Sequence, residues 1–264
     1  MRQDVTSAVA ARFSAAAQTY HELAAVQVHA AKRLMELIGN CQSPARILEI
    51  GSGTGILTAR LARNFPSAQI IDAVDISPAM TAEARKKLAS HNKINWIVAD
   101  AGNLSLSTRY ALIASSCALH WIKPLKPVLK KLSAMLMPGG QLAIALMTHD
   151  TFAELQACRE RIAPHKPPRV TLPVETDVRN AVAESGLRII AEKSETIRRN
   201  YSSAREMIRQ LHAQGLTGGN DPASSHLLTR SELFHLVEDY DSRYKCHDGV
   251  FASYCLYCCV TEKK

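Results

Sequence analysis

The sequence has few aromatic residues, only 5%, and its 264 positions contain no run of eighteen apolar residues. Scarce aromatics leave few platforms on which unstacked bases could lie, which argues against a dedicated nucleic-acid binder. Without a long apolar run, no segment is expected to span a bilayer. The opening stretch MRQDVTSAVAARFSAAAQTY breaks its apolar part with Arg12 and polar residues. It reads as an amphipathic helix rather than a secretion signal, so a cytoplasmic protein is expected. Cysteines number seven, too few and too scattered for a disulfide framework, and they are expected to stay reduced. Cys255-x-x-Cys258 has no second ligand pair and no histidine at finger spacing, and a strand turns residues three apart to opposite faces. No metal is expected. Internal repeats and low-complexity tracts are missing too.

What remains is ordinary in bulk: 47% hydrophobic and 21% charged residues in a length that suits one large α/β domain with a helical elaboration. The formal charge of +8 points to an acidic partner. Val9, Phe13, Ala17 and Tyr20 form one helical stripe, and Leu23, Val26, Ala30, Leu34 and Leu37 another, ending at Gly39-Asn40. Strand and helix patterns then alternate: strand 46–50, helix 55–64, strand 69–74, helix 78–89, strands 94–98 and 110–114, helix 124–136, strand 141–147. This rhythm predicts a mostly parallel sheet covered on both faces. Ser77-Pro78 reads as a helix start and Pro138-Gly139-Gly140 as a turn. Beyond residue 147, Thr151-x-x-Glu154, Ser203-x-x-Glu206 and Thr229-x-x-Glu232 read as capping boxes. A helix over 175–185 stopped by Gly186, a strand over 187–198 and a strongly β-like stretch over 249–261 complete the pattern.

The chemistry starts at Glu49-Ile-Gly-Ser-Gly-Thr-Gly, where strand gives way to helix. A dinucleotide fingerprint needs glycines at positions one, three and six of its turn. Gly51 and Gly53 fit, but position six is Ile56 and the third glycine is Gly55. No Gly-Lys-Ser/Thr follows to hold a phosphate. The stretch resembles motif I of class I S-adenosylmethionine-dependent methyltransferases. That resemblance implies Glu49 for the ligand's ammonium, and Gly51, Ser52, Gly53 and Gly55 for its amino-acid and ribose portion. Asp75, with Ile76, ends the second strand where the ribose hydroxyls would lie. Asp100, with Ala101, ends the third strand beside the adenine, and Ser115 lies at the end of the fourth. Asp72 falls two residues too early and is secondary. Ala111 stands where such enzymes often carry Asp.

The segments VAARFSAAAQTYHELAAVQ, ALHWI, LMPGGQLAIALMTHDTFAEL and YSSAREMIRQLHAQGL with LLTRSEL resemble one family along almost the whole chain. It is the malonyl-acyl-carrier-protein O-methyltransferase of biotin synthesis, the BioC type. The resemblance implies a Rossmann-like class I methyltransferase fold with a mostly parallel seven-stranded sheet. An N-terminal helical lid over 1–44, a cofactor-binding core over 45–147, and inserted cap helices with the last two strands over 148–264 would share one domain. It further implies methyl transfer from S-adenosyl-L-methionine to the free carboxylate of a malonyl thioester. Tyr20 on the lid and His120 after the fourth strand are candidate catalytic residues, although Tyr20 also fits a core aromatic and His120 a surface histidine. Where this chain has Ser116 and His120 the family more often has Asn and Gln. Arg169 is a candidate carboxylate clamp. Lys193, Arg198, Arg199, Arg205 and Arg209 are read as a basic cap face for an acidic acyl-carrier protein, with Lys126, Lys130 and Lys131 as a rival patch. A monomer without nucleic-acid or membrane partners is expected.

Overall fold

The computed structural model describes residues 2–39, 44–104, 106–166, 171–217 and 227–264. Two helices, α1 (Arg2–Leu23) and α2 (Ala25–Ile38), precede an alternation of strand and helix. The order is β1 (Arg46–Ile50), α3 (Ile56–Asn64), β2 (Ile70–Asp75), α4 (Pro78–Lys87), β3 (Ile94–Val98), β4 (Tyr110–Ser116), α5 (Leu125–Met135) and β5 (Leu136–Met147). Then come α6 (Ala153–Ile162), α7 (Glu175–Ala183), β6 (Leu187–Tyr201), α8 (Ala204–Ala213), α9 (Arg230–Arg243), β7 (Lys245–Cys246) and β8 (Gly249–Lys263). Among the described residues no helix is long and apolar enough to cross a membrane.

The strands form one sheet in the order β3-β2-β1-β4-β5-β8-β6. The pairs among β1 to β5 are parallel, and β8 runs antiparallel to both β5 and β6. The expected seven strands are all there; the two-residue β7, paired to β8, is an addition too short for any sequence pattern to announce. Central strands are apolar on both faces, as parallel strands under helices must be. Alternation sends Ile47, Ile71, Leu112 and Ala114 into a core under α2 and α3, and Leu48, Ile50, Val74 and Ile113 into one under α5 and α7. Chain direction across the sheet reverses between β1 and β4, and that reversal opens a crevice at their C-terminal ends.

Ser77 caps α4 by accepting from the Met80 N–H, and Thr229 opens α9 with a complete capping box. Ser203 makes half of one, because the Glu206 carboxylate turns to Arg209 and Gln210 instead. The box expected at Thr151 does not form. The Thr151 hydroxyl accepts from the Cys255 N–H at 3.0 Å, and Glu154, almost fully buried, accepts from the Ser253 N–H at 3.1 Å. Both side chains tie α6 to β8, a tertiary use that overrides the local motif. Pro138-Gly139-Gly140 lies inside β5 beside a register shift rather than in a turn ahead of it. The helical insertion is split: α6 and α7 lie between β5 and β6, while α8 and α9 lie between β6 and β8. Helix α9 packs on α6 and on α8, which joins the two parts into one cap.

Candidate active site

The loop after β1 sits at the reversal. The Gly51 and Ser52 N–H groups both donate to the Val74 carbonyl, at 2.8 and 3.0 Å. Gly51 has φ +75°, and a Cβ there would fall 2.1 Å from the Ala118 Cβ, so only glycine fits. At Gly53, φ +53°, a Cβ would meet nothing within 4 Å, so the backbone faces open space. Asp75 organises this loop from the end of β2. Its Oδ2 accepts from the Gly53 N–H at 2.7 Å and its Oδ1 from the Ser77 N–H at 2.8 Å. Each oxygen keeps a further lone pair for a ligand hydroxyl. Burial raises the Asp75 pKa, and the two N–H bonds pull the other way.

Glu49 is 1% exposed, and its Oε2 has no hydrogen-bond partner. Burial pushes its pKa up to about 8, hydrogen bonding from the Thr58 side chain and backbone opposes the rise, and Asp75 adds to it. A buried carboxyl with one unpartnered oxygen beside an open glycine loop is complementary to a ligand ammonium, which would supply both the missing bond and the missing charge. The Ser52 hydroxyl is likewise buried without a partner. These orphaned groups fit S-adenosylmethionine, whose amino-acid end carries an ammonium and a carboxylate. Asp100 sits half-buried past the end of β3, held by the Gly102 N–H at 2.8 Å and the Asn103 amide at 3.0 Å. Ile76 and Ala101 follow directly on these two acids. Ser115 is fully buried and donates to the Ile50 carbonyl at 2.9 Å, so its hydroxyl secures the end of β1. Asp72, read as secondary, accepts from the Tyr110 hydroxyl and the Asn95 amide, both at 2.8 Å, and serves the fold.

Glu49 carries a pH prediction. Its folded pKa lies above its unfolded value of 4.5, so its contribution is complete below about 4.5 and is lost as pH rises through about 8. Within that window the ligand-free protein should lose up to about 1.4 kcal/mol per pH unit from this group. Glu49→Gln should flatten the fall in thermal midpoint between pH 6 and 8 while abolishing cofactor binding. An unchanged slope would contradict the buried, protonated carboxyl.

A cavity of about 410 Å³ lies between α1, the exit of β4 and the cap helices. Its inner wall combines Phe13 and Tyr20 of α1 with Cys117, His120 and Trp121 from the exit of β4. The expected Arg-Phe-Ser…Tyr segment is accounted for side chain by side chain. Arg12 lies over the Trp121 ring at 5.5 Å and donates to the Thr217 carbonyl at 3.1 Å. Phe13 meets the Trp121 and Tyr20 rings edge-on at 5.6 and 6.0 Å. Ser14 bonds Ser77 through their hydroxyls at 2.8 Å, so α1 is fastened down over the loop that Asp75 organises. Tyr20 is 9% exposed, and burial, then Cys117 and Asp75, raise its pKa far out of reach, so the phenol stays protonated. Tyr20 is packed as a core aromatic, and its ring also lines the cavity.

His120 is buried at 4% exposure, not a surface residue. Burial lowers its pKa to about 3. Its Nδ1 accepts from the Met147 N–H at 3.4 Å, which assigns the proton to Nε2. It is a neutral donor at physiological pH. The outer walls come from α6 (Leu155, Gln156, Arg159), α8 (Ile208, Leu211) and α9 (Leu233, Leu236). Sequence reasoning missed Arg159. The candidate clamp Arg169 lies outside the described residues.

The basic cap cluster does not form a single face. Period-two alternation along β6 sends Arg198 over the Phe251 ring, while Arg199 turns inward to donate to the Leu23 carbonyl at 2.9 Å and to Gln210 at 3.0 Å. Arg199 is a brace between α1 and α8. Arg205, Arg209 and Lys193 are exposed, with Arg209 paired to Glu206 at 2.7 Å. In the rival patch, Lys126 pairs with Glu184 and Lys131 donates to the Gly102 carbonyl.

The methyltransferase-domain family matches residues 47–140. The chain is 31% identical to the malonyl-[acyl-carrier protein] O-methyltransferase of Hahella chejuensis, covering 97% of this chain and 90% of that protein. It is 30% identical to the protein of the same name from Geobacter sulfurreducens, with 92% and 93% covered. Among solved structures, the N-methyltransferase NodS from Bradyrhizobium japonicum, in complex with S-adenosyl-L-homocysteine, superposes with TM-score 0.51 at 16% identity, covering 88% of this chain and 85% of NodS.

Proposed function

The chain belongs to the malonyl-[acyl-carrier protein] O-methyltransferase family, and from that premise we propose that it esterifies the free carboxylate of a malonyl thioester. It is an S-adenosylmethionine-dependent methyltransferase of the class I fold. The observation that carries the cofactor reading is the buried Glu49, whose Oε2 has no partner, beside the Asp75-pinned glycine loop. Glu49 would take the ammonium, Asp75 the ribose hydroxyls and Asp100 the adenine amino group. The donor supplies a methyl group already activated on a sulfonium.

Little acid–base chemistry is then required of the protein, because a malonyl carboxylate is ionised at neutral pH. Its residues must desolvate the carboxylate, align it and exclude water. Phe13, Tyr20 and Trp121 supply the aromatic end of the cavity, with the Phe13 ring edge-on to both others. The neutral His120 Nε2–H can donate to a carboxylate or thioester oxygen without acting as an acid. The ester product masks a charge that would otherwise distinguish the acyl group from an ordinary fatty-acyl primer, which suits the biotin-synthesis role of the family. The reading is tested by offering the enzyme malonyl-carrier protein, malonyl-coenzyme A, a catechol and a primary amine. Methyl transfer confined to the thioester acids is expected; transfer to the catechol or amine alone would overturn it.

The carrier protein docks on α8 in this reading. That helix lends Ile208 and Leu211 to the cavity wall and exposes Arg205 and Arg209. An acidic partner held there would stand next to the cavity. Arg205→Glu with Arg209→Glu should raise KM for malonyl-carrier protein about tenfold or more, against less than about twofold for malonyl-coenzyme A. Equal changes for both would contradict docking on this helix.

A further inference from the structure

We infer that a second cleft, walled by α1, α2, α3 and α4, is a binding site for a phosphate monoester carried on a flat apolar body, the chemistry of a nucleotide. Its volume is about 710 Å³. It borders the glycine loop through Thr54 and Gly55, yet contains none of Glu49, Asp75 and Asp100 and none of the residues lining the cavity beside Tyr20 and His120. Basic side chains converge on it from separate elements: His21 of α1, Arg60 and Arg63 of α3, Lys87 of α4 and His91 just beyond. Among the described residues no aspartate or glutamate lines it with them.

Helical spacing builds the site. Ile56, Ala59, Arg60 and Arg63 recur every three to four residues, so one face of α3 both floors and charges the cleft. Val28, Ile56, Ala59 and Leu88 make that floor apolar, and Leu88 packs closely on Gly55, where a Cβ would fall 2.8 Å from the Leu88 Cδ1. Arg60 is half-buried. Its Nη2 reaches only the Val28 carbonyl, at 3.5 Å, and its Nε is covered with no acceptor. Such a guanidinium has given up water without a full set of bonds in return, and phosphate oxygens suit its fork. Among the described residues no carboxylate pairs with Arg60, Arg63 or Lys87; Glu83 of α4 goes to Lys86 instead, at 2.7 Å. Charges of one sign around a concavity focus their field on an anion inside it. His21 registers that field. Its pKa is lowered, by burial first and by Lys87 next, against the opposing pull of Glu22. Its Nδ1 lies 3.0 Å from the Thr54 hydroxyl, so an occupant would rest against the loop that Asp75 pins. The cleft is open to water and its charges are screened by salt, so the apolar floor must add to the affinity. That requirement favours a nucleotide over a bare phosphate.

The test is calorimetric titration in saturating S-adenosylhomocysteine, which keeps adenosine-bearing probes out of the cofactor crevice. AMP should bind at least about tenfold more tightly than adenosine, which lacks the charge, and than glucose 6-phosphate, which lacks the apolar body. Arg63→Gln with Lys87→Gln replaces two exposed side chains and leaves the packing alone. It should weaken AMP about tenfold or more while affinity for S-adenosylhomocysteine moves less than about twofold. Adding Arg60→Gln should remove AMP binding altogether. Adenosine binding as tightly as AMP would mean that the cations do nothing, and glucose 6-phosphate matching AMP would mean the same of the floor; either result overturns the proposal. So does a wild type that binds no AMP at millimolar concentration, or undiminished AMP binding by the double variant. The wild-type protein also gives a reading of its own by nuclear magnetic resonance. The titration midpoint of the His21 imidazole should move upward with AMP and stay fixed with adenosine, because a phosphate offsets Lys87 beside it. A midpoint unmoved while AMP is bound would place the nucleotide elsewhere and contradict the site.

Discussion

Asp75→Ala should bind S-adenosylhomocysteine at least about a hundredfold more weakly than the wild type, a loss of about 3 kcal/mol or more. Two contributions add. The carboxylate is the acceptor proposed for the ribose hydroxyls, and charge-assisted bonds of this kind are the stronger ones. It also pins the Gly53 and Ser77 N–H groups at 2.7 and 2.8 Å, so its removal orphans two donors in a buried setting and frees the loop that must cradle the ligand. Each orphan costs about 1–3 kcal/mol, so a fall in thermal midpoint should accompany the loss of affinity. Asp75→Asn keeps the size but turns its NH2 toward a backbone N–H, and should recover little. Calorimetric titration with S-adenosylhomocysteine checks both variants. Undiminished binding by Asp75→Ala would refute the role.

The second large effect is expected at Gly51, and it separates stability from binding. Gly51→Ala brings a Cβ to 2.1 Å from the Ala118 Cβ at φ +75°. Ala118 has no easy retreat, because Cys117 before it sits at φ +55° with its N–H bonded to the Ala145 carbonyl, and the turn Leu119–Trp121 follows. Left-handed strain of about 1–2 kcal/mol and overpacking of about 1–3 kcal/mol should together cost about 2–5 kcal/mol. For a chain of this length the thermal midpoint should fall by roughly 5–20 °C. Gly53→Ala bears only the strain, since its Cβ would meet nothing within 4 Å. It should unfold within a few degrees of the wild type but bind cofactor poorly, because the methyl group occupies the ligand's space. Thermal unfolding and titration of the two variants side by side decide the matter. Equal behaviour would mean the loop does not approach a ligand at Gly53.

Where function lay in contiguous residues, the sequence was readable. Glu49 through Gly55 is a single turn, and Asp75 and Asp100 follow from counting strand ends, so the resemblance to a methyltransferase motif could be carried residue by residue onto the proposed cofactor crevice. The sheet was readable for a similar reason: buried parallel strands such as RILEI and YALIASS are apolar on both faces. The cavity was not, because its walls come from α1, α6, α8 and α9, and no local pattern records which helices meet. Arg159 looks in sequence like any charge on a solvated helix; only the folding of α6 against α9 turns it inward. Thr151 and Glu154 have the spacing of a cap yet serve β8. The basic cap was misjudged through neglect of a rule already in hand: neighbours on a strand face opposite ways, so Arg198 and Arg199 could not share a surface. Of the two settings the sequence left open for His120, the buried one holds, because the turn after β4 packs against Phe13 of α1 through Trp121.

The central claim, that this crevice and cavity deliver a methyl group to a carboxylate oxygen, is tested most directly by locating that group on the product. Malonyl-carrier protein incubated with S-adenosylmethionine carrying a labelled methyl group should gain one CH2 in mass. Mild base should then release the label as methanol, because the new bond is an ester. A label of the same mass that resists base would lie on carbon, sulfur or protein nitrogen and would contradict the account.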